Sequence, residues 1–187
     1  MEEYKNPWQV ISQKQAYDNK WINVTEYDVI NPGGGKGIYG KVHFKNLAIG
    51  VIVLDKELNT YLVGQYRFTL DEYTWEIPEG GGEPGVDPLE SAKRELLEET
   101  GIIAHEWTLL YNVHLSNSVS DEYGYLYLAR DTEQHSPMPE ETEQLMIKKI
   151  SFEQAWQMAE SGAITDSLSL IAIQKVRLLL AEGKLGH

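Results

Sequence analysis

The chain has 187 residues, 42% of them hydrophobic, which is enough to bury the core of one domain with a small appendage. Its 29 acidic residues against 16 basic ones give a formal charge of −13, a field that repels a phosphate backbone and sets DNA and RNA aside as partners. Cysteine is absent, so disulfides, thiolate nucleophiles and Cys-based zinc sites are excluded.

No stretch reaches the roughly 18 apolar residues of a membrane helix, and residues 1–10 contain no apolar run of signal-peptide length. The expectation is a soluble, cytoplasmic protein without a membrane partner.

In chain order, residues 8–30 alternate in part, and Trp21-Ile22-Asn23-Val24 reads as strand. Asn31-Pro32-Gly33-Gly34-Gly35 ends this stretch as a turn, giving an N-terminal antiparallel β-ribbon. Residues 38–44 and 48–54 are β-rich, 55–59 form a polar hairpin, and 61–68 return as a further strand. After residues 73–77 comes a glycine-rich loop over 78–85, a composition that permits positive φ and close backbone approach.

A helix over 88–100 follows. Asp87 supplies the N-cap, Pro88 suits the first helical position, Glu90 completes a capping box, and Gly101 closes the far end. Residues 107–115 and 123–129 read as strands, 131–142 as an acidic loop containing proline, and 145–150 as a last strand. Two helices finish the chain. Ser151 opens the first with Gln154 as its box partner, and it closes near Gly162. Asp166 starts the second, which carries Leu168, Ile171, Ala172, Lys175, Val176 and Leu179 at helical spacing, with the Lys175 stem lying along the edge of the apolar face.

The chemistry concentrates in Arg94-Glu95-Leu96-Leu97-Glu98-Glu99-Thr100-Gly101-Ile102. At 100° per residue Glu95, Glu98 and Glu99 share one helix face. Like charges at this spacing repel, and near a helix C-terminus they also oppose the dipole. A captured divalent cation answers both problems, and an all-oxygen donor set selects Mg²⁺ or Mn²⁺, ions that bind substrate phosphates. A glutamate-rich helix by itself is usually just an ordinary solvated face.

Context separates the two readings. Gly80-Gly81-Gly82-Glu83-Pro84-Gly85-Val86-Asp87 precedes that run, and Gly80, Arg94, Glu95, Leu96, Glu98, Glu99, Gly101 and Ile102 fall in the register of the pattern G-x5-E-x7-R-E-U-x-E-E-x-G-U, where U is bulky and aliphatic. The segment resembles the Nudix box. The position of the box's first glutamate holds Val86, which leaves Arg94 to pair with Glu83, Asp87 or Glu90 and leaves the number of metal ions open. The resemblance extends to the ADP-ribose and nucleoside diphosphate sugar pyrophosphatases through Gln65-Tyr66-Arg67, Trp75-Glu76-Ile77-Pro78-Glu79-Gly80-Gly81, Ser120-Asp121-Glu122 and Gly162-Ala163-Ile164-Thr165-Asp166-Ser167.

That resemblance implies an α/β protein of the Nudix fold, an α/β/α sandwich around a mixed sheet, preceded by the small antiparallel ribbon. It divides the chain into residues 1–45, a ribbon serving substrate and dimer contacts, and residues 46–187, the hydrolase domain. It implies metal ligation by Glu95, Glu98, Glu99 and the Glu79 carbonyl, with Glu98 binding a further ion or orienting the others. It implies that the general base, or another metal ligand, comes from the acidic loop Glu140-Glu141-Thr142-Glu143, Glu141 first and Glu143 second. Arg67 contacts phosphate oxygens, Glu122 the ribose hydroxyls, and Trp21 and Tyr39 stack the base between two subunits. The implied assembly is a homodimer with exchanged ribbons, and the implied reaction is Mg²⁺-dependent cleavage of a nucleoside diphosphate sugar.

Two alternatives stand beside it. One is a non-catalytic nucleotide sensor, favoured by Val86. The other is a hydrolase of nucleoside triphosphates or dinucleoside polyphosphates. The five histidines show no ligand spacing, and Ser116, Ser118 and Ser120 have no obvious His-Asp partner, which disfavours a serine nucleophile.

Overall fold

The structure is a computed structural model and describes residues 4–136 and 145–185. The chain forms two compact units: one from the residues up to Asn46 together with His114–Glu122, the other from Leu47–Val113 and from Tyr123 onward.

In the first unit β1 (Gln9–Asp18), β2 (Ile22–Ile30) and β3 (Lys36–Phe44) form an antiparallel sheet with β2 in the middle. The β2–β3 turn is local chemistry. Asn31 Oδ1 accepts from the N–H groups of Gly33 (2.9 Å) and Gly35 (3.1 Å), and Gly34 takes φ 85°, where a side chain would be strained. Residues 114–122 dock on β3: the Val42 N–H donates to Val119 O (2.9 Å) and the Asp121 N–H donates to Val42 O (3.1 Å).

In the second unit β4 (Leu47–Val53) lies between β7 (Glu79–Gly82), antiparallel to it, and β9 (Tyr123–Gln134), parallel to it; β8 (Ile102–His114) adds the far edge. A second, antiparallel sheet has the order β10 (Met146–Ser151), β5 (Asn59–Arg67), β6 (Glu72–Glu76). Three helices complete the unit: α1 (Pro88–Thr100), α2 (Phe152–Glu160) and α3 (Ser167–Ala181).

The two-residue period of β4 assigns the helices to its faces. Ile49, Val51 and Val53 pack with Ala92 and Leu96 of α1. Gly50 faces the other way, where a Cβ would meet Leu126, Ile77 and Leu168 of α3. A strand covered on both sides reads as a continuous apolar run, and Ile49 to Val53 is buried throughout. The result is the expected α/β/α sandwich around a mixed sheet. No helix among the described residues is long and apolar enough to cross a membrane.

The caps act largely as read from sequence. Asp87 accepts from the Leu89 N–H (3.0 Å), and Gly101 ends α1 at φ 72°. Ser151 and Gln154 form both halves of a capping box, and Asp166 caps α3. The Lys175 ammonium lies over the Tyr111 ring, 4.9 Å from its centroid.

Four expectations are corrected. Glu90 does not complete a capping box, because its carboxylate pairs with Lys93 one turn on (2.7 Å). The glycine-rich stretch is not all loop: four of its residues form β7, since glycines leave that strand open to close approach by α1. Strand β8 begins at Ile102, immediately after the αL glycine, and β9 runs on to Gln134, into what reads as acidic loop.

Leu96 is fully buried between α1 and β4. Leu96→Ala is expected to cost about 2–5 kcal/mol of stability, measured by chemical denaturation.

Candidate active site

The site is built where α1 runs past the outer edge of β7. An edge strand presents unpaired N–H groups that must find partners. Here the partners are carboxylates: the Glu79 N–H donates to Glu99 Oε2 (2.9 Å) and the Gly81 N–H donates to Glu95 Oε1 (3.1 Å). The spacings agree, because four helical residues rise about 6 Å while two strand residues advance roughly 7 Å.

Gly80 lies between these two contacts. A Cβ there would collide with the Glu95 carboxyl, so close approach, not backbone torsion, requires glycine.

Arg94 completes the arrangement. Its Nη2 donates to Gly81 O (2.8 Å) and Glu95 Oε1 (2.7 Å), and its Nη1 donates to Glu98 Oε2 (2.7 Å). These partners replace Glu83, Asp87 and Glu90, expected from the sequence. Burial pulls the Arg94 guanidinium down, but Glu95 and Glu98 together hold it above its ordinary value. Burial raises the Glu95 carboxyl despite the adjoining arginine.

The three glutamates are therefore not equivalent. Glu95 and Glu99 are 9% and 2% exposed and turn to β7, whereas Glu98 stays partly exposed beside Arg94. The premise that a cation alone makes the stripe tolerable is corrected: two backbone amides and one arginine already answer it. Among the described residues no three acidic, histidine or cysteine side chains are grouped as a metal site. The donor chemistry nonetheless fits a hard cation. Glu95 Oε2 makes no hydrogen bond among the described residues, Glu99 lies one turn along, and the Glu79 carbonyl belongs to the same edge as that of Gly81 by strand period.

Residues 44–168 match the NUDIX domain. The chain belongs to the Nudix family. Residues 8–42 match the nucleoside diphosphate sugar hydrolase N-terminal domain. Over 170 residues, covering 90% of this chain and 91% of each relative, it is 29% identical to a methanol dehydrogenase activator of Bacillus methanolicus and to an ADP-ribose pyrophosphatase of Bacillus subtilis. An ADP-ribose pyrophosphatase of Mycobacterium tuberculosis is 32% identical over 130 residues, 67% of this chain and 60% of that protein. A crystal structure of an ADP compounds hydrolase superposes with a TM-score of 0.85 at 19% identity, covering 98% of this chain and 100% of the other, a likeness of fold. The protein is a Nudix hydrolase, a class that generally needs a divalent metal ion.

Of the Nudix residues expected from sequence, Glu95 and Glu99 meet the backbone of β7, the strand that carries Glu79, and Glu98 is held by Arg94 beside them. Arg67 ends β5 and pairs with Glu76. Trp21, Tyr39 and Glu122 belong to the first unit. Trp21 adjoins Lys45 and Tyr39 lies six residues further along β3, on the order of 20 Å at strand rise, so one chain does not bring the two rings together. Tyr39 meets Trp8 edge to face (5.3 Å between centroids) and lines a cavity of about 380 Å³ with Tyr27, Val29 and Lys41. Glu141 and Glu143 lie outside the described residues.

Two features escaped the sequence reading. The Glu79 side chain, not only its carbonyl, matters: half-buried on the α3 side of β7, it accepts from Ser169 Oγ (3.0 Å), while Ser169 Oγ accepts from the Ile77 N–H (2.9 Å). Burial, and then the neighbouring Asp166, push this carboxyl well above its usual range. The other feature is Asp121, which accepts from Lys41 Nζ (2.7 Å), the Phe44 N–H (3.1 Å) and His43 Nδ1 (2.8 Å). No local pattern signals either one, since every partner is distant in the chain.

Burial opposes the Asp121 charge, but Lys41, His43 and Phe44 bring its pKa down from 3.8 to about 2. A carboxyl depressed by folding contributes stability above its unfolded pKa and loses it as pH falls. The first unit is therefore expected to loosen between about pH 4 and pH 2. An acid titration of tryptophan fluorescence checks this: Asp121→Asn should flatten the response across that window.

Proposed function

We propose that this chain hydrolyses the pyrophosphate bond of a nucleoside diphosphate sugar, ADP-ribose or a hexose derivative such as GDP-mannose, to a nucleoside monophosphate and a sugar phosphate. The observation that carries this reading is the Glu95–Glu99 pair fixed along β7, in a chain whose residues 8–42 match the N-terminal domain of nucleoside diphosphate sugar hydrolases. The ADP-ribose pyrophosphatases among its relatives support the same substrate class.

Glu95, Glu99 and the Glu79 carbonyl hold Mg²⁺, with Mn²⁺ as a substitute, and Glu98 orients them or serves a further ion. When bound, such a cation offsets pyrophosphate charge and acidifies a coordinated water. The chain's own residues do the rest. The β7 amides hold Glu95 and Glu99 in place before substrate arrives, so no reorganisation is needed at the moment of reaction. Arg67 donates to phosphate oxygens. Water adds to one phosphorus as the bond to the bridging oxygen breaks, and Glu141, or Glu143 in its place, takes the water's proton.

Glu122 accepts from ribose hydroxyls, and Trp21 and Tyr39 stack the base in a cytoplasmic homodimer with exchanged ribbons. The aromatic cavity beside Tyr39 supports a planar ligand on that unit. Residues 1–45 serve as the substrate and dimer subdomain, and residues 46–187 as the hydrolase domain.

The test is a substrate panel of nucleoside diphosphate sugars, nucleoside triphosphates and dinucleoside polyphosphates, with products separated by chromatography, with and without Mg²⁺. Mg²⁺-dependent release of nucleoside monophosphate from a diphosphate sugar is expected, and Glu99→Gln should lower kcat/KM at least about a hundredfold. Nucleotide binding without any turnover would move the assignment to a sensor.

A further inference from the structure

Glu76 has no role in the reading so far, yet its side chain is only 5% exposed. A carboxylate so placed is tolerated when its oxygens are satisfied. Both are: Thr74 Oγ1 donates to Oε1 (2.6 Å), Arg67 Nε lies 3.0 Å from each oxygen, and Arg67 Nη2 donates to Oε2. Sheet register explains how residues nine apart meet. Glu76 lies opposite Val63 and Thr74 opposite Gln65, so Arg67, Thr74 and Glu76 share one face of the β5–β6 pair, and the arginine stem runs back along it.

The pairing is side-on, and this matters. A guanidinium carries five N–H groups, and Glu76 engages those on Nε and one on Nη2. The remaining three lie at the far end, two on Nη1 and one on Nη2, in the parallel arrangement that fits two oxygens of a phosphate. None of the three has a hydrogen-bond partner among the described residues, and the Arg67 side chain is 37% exposed. An unanchored arginine of this length would sample many rotamers and lose that freedom on binding.

We infer that Glu76 is a positioning residue for substrate binding: seated by Thr74, it holds the Arg67 guanidinium side-on so that the opposite end is presented to the pyrophosphate. This rests on the reading that Arg67 contacts substrate. The pair also retains its charge, since the hydrogen bond to Glu76 first, and then the charges of Glu76, Glu79 and Asp166, hold Arg67 above its ordinary value.

The experiment measures kcat and KM for Glu76→Gln, Arg67→Ala, their double variant and Thr74→Val, on the diphosphate sugar that wild type turns over fastest, with thermal unfolding of each. Glu76→Gln keeps the shape but not the charge, and should lower kcat/KM about tenfold to a hundredfold, chiefly through KM. In the Arg67→Ala background the same change should have no further effect, because a positioning residue acts only through its arginine. Thr74→Val leaves Glu76 in place but loosened, and should give a smaller loss in the same direction, which keeps the inference testable if Glu76→Gln folds poorly. Wild-type kinetics for Glu76→Gln or Thr74→Val beside an impaired Arg67→Ala, or losses that simply add in the double variant, would overturn the inference alone. Wild-type kinetics for Arg67→Ala would overturn the assignment of Arg67 itself, and Glu76 with it.

Discussion

The molecule's chemistry depends on a strand edge that needs hydrogen-bond acceptors and a helix that supplies them as carboxylates. Among the described residues the N–H groups of Glu79 and Gly81 have no further strand to pair with, and α1 brings Glu99 and Glu95 to them at matching spacing. Each side of this contact answers the other's difficulty. The edge would otherwise invite pairing with another chain, and buried carboxylates would otherwise lack donors. Arg94 ties the same two elements by bridging Gly81 O, Glu95 and Glu98. The acidic groups are thus fixed by the fold, and their placement does not wait on a ligand.

The pleat of β7 then divides the two sides. Residue 80 points at α1 and must be glycine, because the Glu95 carboxyl fills the space of a Cβ. Residue 79 points the other way, where Ser169 joins its carboxyl to the Ile77 amide and to the start of α3. One short strand therefore connects both helical layers. A displacement of β7 by a single residue would reverse these faces and remove every contact described.

The first unit follows a different logic. Strand β1 is exposed along its whole length, and the sheet keeps its order through hydrogen bonds and edge contacts more than through a core. Asp121 is central to that order, gathering Lys41, His43 and the Phe44 amide into one acceptor. The aromatic residues Trp8, Tyr27 and Tyr39 surround a cavity instead of closing it.

What the sequence determined by itself was local. The bounds of α1 follow from Asp87, Pro88 and Gly101, the start of α2 from Ser151 and Gln154, and the start of α3 from Asp166, because a cap bonds within three or four residues. The spacing of Gly80, Arg94, Glu95, Glu98 and Glu99 was equally readable, and so was the shared helix face. The tertiary structure alone decided what those side chains meet: β7 amides for Glu95 and Glu99, Arg94 for Glu98, Ser169 for Glu79, Glu76 for Arg67. Each of these is a contact between elements, and helical periodicity fixes the direction of a side chain without fixing what stands opposite it. The identity of β7 as a strand belongs to the same class, since four residues rich in glycine have no β pattern of their own and become a strand by pairing with β4.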